Sequence, residues 1–377
     1  MILRSLKAYQ FRNFKDLDIE FNDRLNIIIG DNGQGKTNII EAIHLLTEGE
    51  SFRYSKNENL IGLGQNESAI HATIENNDLL SKMSLKITRS QKKLSVNGKP
   101  LTHTKLKNFS SVLFSPESLN IIKESSDERR QLADQLVEQV TPHGYNLIRD
   151  FKKVLKTRNR LLKDISEEQI PSQMSRDTLE SLNSSFLKLA AELTYLRICT
   201  LVEMRPEVEK ALNQIHSTDS GGKKVDFNFN YIISDVDHKD SNLEKIVNFL
   251  QKRMKDLEIA ELKSGVSLIG PQKHDIAFLY NGNDSRFYCS QGQQRSIILA
   301  YKMAQIMYHY RVHEFYPILL LDDVLSELDL TKQESLISTL NQTETQTFVT
   351  TTDITLLSKL SMDKASVFKV RDGQIIV

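Results

Sequence analysis

Lys36 and Thr37 close the run Gly30-Asp31-Asn32-Gly33-Gln34-Gly35-Lys36-Thr37, which fits G-x-x-x-x-G-K-[ST]. The chemistry this spacing serves is capture of a nucleoside triphosphate. Glycines let the backbone approach a phosphate chain without a Cβ in the way. The Lys36 ammonium would reach the β- and γ-phosphates, and the Thr37 hydroxyl would hold Mg²⁺. A plain glycine turn is the bland alternative, and the complete eight-residue pattern argues against it. A second set of residues lies at 322–323, where Ile318-Leu319-Leu320-Leu321 runs into Asp322-Asp323. An acid at the end of a buried strand suits Mg²⁺, which assigns Asp322 to the metal. The next carboxylate, Asp323, would orient or deprotonate an attacking water. A solvated acidic turn is the alternative here. Ser290-Gln291-Gly292-Gln293-Gln294 precedes a helical pattern and offers another anion-binding helix start, or simply an N-capped helix.

These residues need elements to hold them. Leu25-Asn26-Ile27-Ile28-Ile29 is an apolar, β-branched run that reads as a buried strand entering the glycine loop. Ile39, Ile40, Ile43, Leu45 and Leu46 recur at helical spacing after it. A strand turning into a helix aims several N–H groups and the positive helix end at one spot. Two strands precede the loop, one carrying Ile2, Leu3, Leu6 and Phe11, the other alternating Leu17, Ile19 and Phe21 with Asp18 and Glu20. Short alternating strands at 69–74 and 83–88 and an Asn97-Gly98 hairpin signal predict an antiparallel sheet beside the nucleotide-binding core.

Val112-Leu113-Phe114 is a further strand that Pro116 ends. From 117 to about 265 the texture is mostly helical, with apolar stripes over 149–165 and 179–196, a loop at 217–224 and one strand at 225–233. Strands return at 276–280, 318–321, 348–350 and 367–370, with a helix from 295 to about 312. The expected fold is α/β, with a mixed-sheet phosphate-loop core, an antiparallel β subdomain and a mainly helical second lobe. Lobe I would combine 1–117, with the phosphate loop, and 266–377, with the acid pair; lobe II would be 118–265.

At 377 residues the chain is long enough for about two domains, and its 39% hydrophobic and 26% charged content is ordinary for a globular protein. Net charge is zero, so any contact with DNA must come from a local basic surface. Cys199 and Cys289 form neither a disulfide framework nor a C-x-x-C metal pattern. No apolar run is long enough to span a bilayer, and no signal-peptide pattern opens the chain, so no membrane association and a cytoplasmic location are expected. His309 and His313 are four apart on a helix, a spacing that serves a packed pair as well as a metal.

The order of motifs resembles the ABC-type ATPases. Ser290, Gly292 and Gln293 resemble their signature motif, with Gln291 where the first glycine of S-G-G-Q stands, and Ser326-Glu327-Leu328-Asp329 resembles their D-loop. About 250 residues separate the phosphate loop from the signature, a split similar to that of the SMC-like DNA repair ATPases. Within that superfamily the chain resembles the RecF family of bacterial recombination mediators over nearly its whole length. Phe11-Arg12-Asn13-Phe14, Ser51-Phe52-Arg53, the segment Leu155-Lys156-Thr157-Arg158-Asn159-Arg160-Leu161-Leu162, the element Gly270-Pro271-Gln272-Lys273-His274-Asp275, and Leu320 through Asp329 carry the resemblance. It implies an ABC-type head that binds ATP and Mg²⁺ and hydrolyses ATP weakly and in a DNA-stimulated way.

The same resemblance implies ATP buried between two head-to-tail copies, with Ser290, Gly292 and Gln293 on the partner's γ-phosphate, and Arg12 and Asn13 at the nucleotide. It implies an ATP-dependent homodimer that binds single- and double-stranded DNA at gap junctions with little sequence specificity. RecR and RecO are the implied protein partners, in recombinational repair, replication-fork maintenance and the SOS response. The chain departs from the pattern at Glu124-Ser125-Ser126 and Leu132, where a glycine-rich turn and an aromatic are expected, although Arg129, Arg130 and Asp134 are kept. Gln272 replaces a histidine, and Ser115-Pro116-Glu117 stands where transporters carry a glutamine. Thr350-Thr351-Thr352 occupies the place of their switch histidine, and Thr352 is the residue assigned to that contact. A transporter cassette and an SMC-like structural head without turnover are the alternatives.

Arg149, Lys153, Lys156, Arg160 and Lys163 recur every three or four residues, a basic stripe along one helix face. Such a stripe supplies phosphate contacts to DNA, or is an ordinary solvated face. Arg129 and Arg130 are a weaker pair of candidates, serving equally well as ion pairs.

Overall fold

The computed structural model describes residues 1–53, 55–76, 79–101, 109–167, 172–217, 224–352 and 365–376. The chain opens with β1 (Ile2–Phe11), β2 (Phe14–Glu20) and β3 (Leu25–Ile29), then α1 (Lys36–Glu48) and the single turn α2 (Asn57–Leu60). There follow β4 (Glu67–Asn76), β5 (Leu79–Thr88), β6 (Lys92–Val96), β7 (Lys99–Pro100) and β8 (Ser111–Phe114). The helices α3 (Ser126–Val140), α4 (Gly144–Ser166) and α5 (Ser172–Ser217) come next, then β9 (Phe227–Ile233), β10 (Val236–Asp237) and α6 (Leu243–Ser264). The last third holds β11 (Asp275–Tyr280), β12 (Asn283–Asp284), α7 (Ser285–Tyr288), α8 (Gln291–His313), β13 (Ile318–Asp322), α9 (Leu330–Gln342), β14 (Thr347–Thr351), β15 (Ala365–Arg371) and β16 (Gln374–Ile376). The loop expected at 217–224 lies mostly outside the described residues.

Three sheets result. The strand that feeds the glycine loop belongs to a sheet of order β16-β15-β3-β14-β13-β8, parallel throughout except for β16. Its central strands β13 and β14 are buried at every position: β13 is an apolar run ending in Asp322, and β14 is Thr-Phe-Val-Thr-Thr. The strands of the N-terminal hairpin join β4 to β7 in an antiparallel sheet of order β2-β1-β4-β5-β6-β7. The apolar face of α1 (Ile39, Ile40, Ile43 and Leu46) sits in one core with both sheets. Gln346, fully buried, welds them: its Oε1 accepts from the Leu3 N–H at 2.7 Å, and its Nε2 donates to Leu3 O at 2.9 Å and Asn22 O at 2.8 Å. The third sheet, β10-β9-β11-β12, stands among the helices.

The chain divides into two compact units, one of residues 1–119, 211–224 and 296–377, the other of 120–210 and 225–295. The boundary expected near 265 thus falls at 295. Residues 266–295 go with the helical unit because β11 pairs along its length with β9. Asp275 at the start of β11 is also gripped by both arms of Arg129 on α3, at 2.9 and 3.0 Å. Arg129 and Arg130 are therefore internal ties of the helical unit: Arg130 binds His274 O and Asp127. Three more elements are tied by Arg158 of α4. It is 2% exposed, forks onto Glu261 of α6 at 3.1 and 2.6 Å, takes Asn183 of α5 at 2.9 Å, and stacks on Phe186.

Candidate nucleotide-binding site

The site grows from strand order. β14 lies between β3 and β13, in register Thr350↔Ile28 and Asp322↔Thr350. Three parallel strands therefore end side by side, delivering Gly30, Thr350 and Asp322 to one rim. In open parallel sheets ligands bind beyond such C-terminal ends.

The glycine loop holds its shape for stated reasons. A Cβ on Gly30 would sit 2.4 Å from the Val370 carbonyl oxygen, so only glycine fits beside β15. Gly33 and Gly35 have φ of 80° and 119°, a region costly to other residues. No atom lies within 4 Å of the Gly33 Cβ position, so that face of the loop is open. Helix α1 starts at Gly35 with no side-chain cap. Its first N–H groups and its positive end form an anion site. Lys36, 4% exposed, folds over the loop with Nζ donating to Gly30 O at 2.8 Å and Asp31 O at 3.1 Å. Asp31, Asn32 and Gly33 are exposed on the outside of the turn, and Gln34 is half-buried.

Thr37 and Asp322 meet. The Asp322 carboxylate accepts from Thr350 Oγ1 at 2.8 Å, and the Thr37 hydroxyl stands near enough to it to favour its charged form. Burial pushes the Asp322 carboxyl above the ordinary range, against the pull of those two hydroxyls and the positive charge of Arg53. Asp323 follows with φ 55°, and its N–H donates to Thr350 Oγ1 at 2.9 Å. That left-handed kink turns its carboxylate off the strand line, and Asp is among the residues that tolerate it.

A hydroxyl and one or two carboxylates match what Mg²⁺ asks of a protein when phosphates and water supply the rest. Among the described residues there is no group of three or more His, Cys, Asp and Glu side chains fit to hold a metal alone. His309 and His313 pack against each other with tilted rings, centroids 4.6 Å apart and planes at 47°.

Arg12 and Asn13 stand behind the loop. Arg12 forks onto the fully buried Glu41 of α1 at 2.8 and 2.6 Å, and binds Ser55 Oγ at 2.6 Å and Asn59 O at 2.8 Å. Asn13 Nδ2 donates to Gln34 O at 2.8 Å and its Oδ1 accepts from Asn38 at 2.7 Å. Both support the loop and the first turns of α1.

Thr352 is exposed, one residue beyond the end of β14, and Thr350 is the threonine on the acids. Only the strand register shows that Thr350 is the threonine bordering Asp322; the γ-phosphate contact expected of Thr352 is a separate role. Arg53 was also missed as a site residue. It donates to Asn38 Oδ1 at 2.9 Å, next in chain to Thr37, and the Ser51-Phe52-Arg53 resemblance was the only signal of it.

The remaining candidates lie in the helical unit. Helix α8 starts at Gln291, four residues earlier than its apolar pattern suggested. Ser290 Oγ accepts from Gln293 N at 3.2 Å while Gln293 Oε1 accepts from Ser290 N at 2.8 Å, a reciprocal cap around Gly292. Arg149, Lys153, Lys156, Arg160 and Lys163 are all exposed on α4, joined by Lys152, with Arg149 paired to Asp150 and Lys163 to Glu167. The opposite face buries Leu147, Phe151 and Leu162.

Known proteins place this arrangement. The family model for the RecF/RecN/SMC N terminal domain matches residues 2–375. The DNA replication and repair protein RecF of Bacillus velezensis is 34% identical over the full length of both chains. The chain belongs to the RecF family. RecF of Oceanobacillus iheyensis, 35% identical, again matches end to end. Two solved structures of the recombination mediator protein RecF in the RecFOR pathway superpose closely. The one with ATPrS has a TM-score of 0.85 at 28% identity and covers 99% of this chain and 97% of that one; the one with ATP has 0.81 at 29%, covering 100% and 97%. An Smc head from Pyrococcus furiosus, 15% identical with a TM-score of 0.54, shares the fold. The RecF-family chain is thus an ABC-type ATPase head built for ATP, with a mainly helical second unit. No helix among its described residues is long and apolar enough to cross a membrane.

Proposed function

We propose that this RecF-family chain is a weak, DNA-stimulated ATPase whose nucleotide state governs its hold on DNA during recombinational repair and replication-fork maintenance. The observation that carries this is the meeting of Thr37 and Asp322 beside Lys36, on a fold matched end to end by a RecF structure with ATP. The loop N–H groups and Lys36 take the phosphates. Thr37 and Asp322 would hold Mg²⁺, which supplies charge neutralisation at the β- and γ-phosphates. Asp323 is the carboxylate available to orient the attacking water and accept its proton.

Ser290, Gly292 and Gln293, at an exposed capped helix start, would meet the γ-phosphate held by a second copy, which makes ATP the link in a homodimer. The exposed stripe on α4 would contact phosphates of single- and double-stranded DNA, including gap junctions, with little sequence preference. The RecFOR relatives support RecR and RecO as partners. The test is DNA retention and sedimentation mass measured together with ATP, with ADP and with Lys36→Met, at one salt concentration. ATP alone should give a DNA-bound dimer, and Lys36→Met should lose both. In the same assay Lys153→Glu with Arg160→Glu should weaken binding on every sequence and flatten the salt dependence by about one log-log unit per lost phosphate contact. DNA binding that ignores nucleotide would overturn the reading.

A further inference from the structure

The C-terminal hairpin belongs to none of the motifs, yet it grips the phosphate loop. β15 and β16 are joined by Asp372-Gly373, whose φ values of 50° and 70° suit a type I′ turn. The Asp372 N–H donates to Gln34 Oε1 at 2.6 Å, and the Gly373 N–H donates to Gln34 O at 3.2 Å. Asn13 Nδ2 donates to the same carbonyl at 2.8 Å. A Cβ on Gly373 would lie 2.5 Å from Asn13 O, so the turn, the β1–β2 connection and the loop meet at backbone contact distance.

The peptide joining Gln34 to Gly35 is planar and trans, so its carbonyl and its N–H point in opposite directions. With the Gln34 carbonyl fixed toward the hairpin, the Gly35 N–H is fixed away from it. Gly35, at φ 119°, has no side chain to hold that orientation. We propose that the Asp372-Gly373 turn is a positioning element for the nucleotide, aiming the Gly35 N–H at the phosphates by holding the Gln34 carbonyl. Residues more than three hundred positions from the loop in sequence thereby set its affinity for ATP. This rests on the ATP reading of the loop.

The test is ATP binding by calorimetry and steady-state ATP hydrolysis, with melting of the nucleotide-free protein as the measure of fold. Gly373→Ala adds the clashing Cβ and should weaken ATP binding and raise KM about tenfold, the equivalent of one charge-assisted hydrogen bond, with kcat at saturating ATP within about twofold. Gln34→Ala, which removes one acceptor and disturbs no backbone, should weaken binding about threefold. Gln374→Ala, on exposed β16 outside the turn, should match the wild type. Nucleotide-free melting of Gln34→Ala should stay at the wild-type value. Wild-type ATP affinity in both Gly373→Ala and Gln34→Ala would overturn the proposal. So would an affinity loss in Gln34→Ala accompanied by an equal loss of nucleotide-free stability. A wild-type protein that binds no ATP would instead remove the reading of the loop itself.

Discussion

Thr350 Oγ1 donates to Asp322 Oδ1 at 2.8 Å, and this bond joins the ends of two neighbouring parallel strands. The same oxygen accepts the Asp323 N–H at 2.9 Å, so one hydroxyl fixes both acids of the site. Thr350→Val keeps the shape and removes both bonds, leaving a buried carboxylate and an N–H short of a partner. A loss of about 1–3 kcal/mol in stability is expected, read by chemical denaturation, together with slowed ATP turnover. Thr350→Ser should restore both. Turnover and stability unchanged in Thr350→Val would remove the hydroxyl from this role.

Arg158 and Glu261 form a buried fork in the helical unit, at 2–3% side-chain exposure. Breaking such a pair strands a charge, so Arg158→Ala should cost about 3–5 kcal/mol in urea unfolding. Glu261 also accepts the Leu268 N–H at 2.7 Å, so Glu261→Ala should be at least as severe. A loss below about 1 kcal/mol, the scale of a surface pair, would contradict the packing described.

His309 is buried and its Nδ1–H donates to Phe315 O at 3.1 Å; burial, helped by the neighbouring His313, holds its imidazole down to about 3. Its folded pKa lies below the unfolded value of 6.5, so below pH 6.5 the unfolded chain binds the extra proton. The stability it allows is complete above pH 6.5 and falls with pH down to about 3. Between pH 6.5 and 5 the loss should be about 2 kcal/mol, from about 1.4 kcal/mol per pH unit. His44, which burial holds near 4, acts in the same direction. Melting curves across this range should flatten in His309→Gln, and an equally steep fall in that variant would exclude His309 as the source.

Much of this was legible in the sequence because it is local. The glycine loop, its strand and its helix sit within 25–48, and the acid pair ends an unbroken apolar run, so pattern and chemistry coincide. What pairs over long distances was not legible. Residues 266–295 look like the return of the first lobe, and only the β9–β11 register and the Arg129–Asp275 fork assign them to the helical unit. The Arg12–Glu41 pair was hidden as well, because Glu41 lies on the polar side of an apolar helix pattern. Arg158 sits inside a basic stripe, and helical phase alone turns it inward while Lys156 and Arg160 stay exposed.

ATP held at this site is proposed to keep the protein on DNA until hydrolysis through Asp323 releases it. Asp323→Asn should keep the turn, since Asn also tolerates a left-handed φ, and removes the carboxylate proposed as the base. Turnover should fall at least about 10²-fold, a barrier rise of about 2.7 kcal/mol, while ATP binding survives. The most direct measurement is the lifetime of the ATP-bound dimer on DNA, followed by sedimentation and DNA retention after dilution into nucleotide-free buffer. A complex that persists in Asp323→Asn long after the wild-type complex has dissociated is the expected result. Dissociation of the variant at the wild-type rate, or hydrolysis unchanged, would contradict the account.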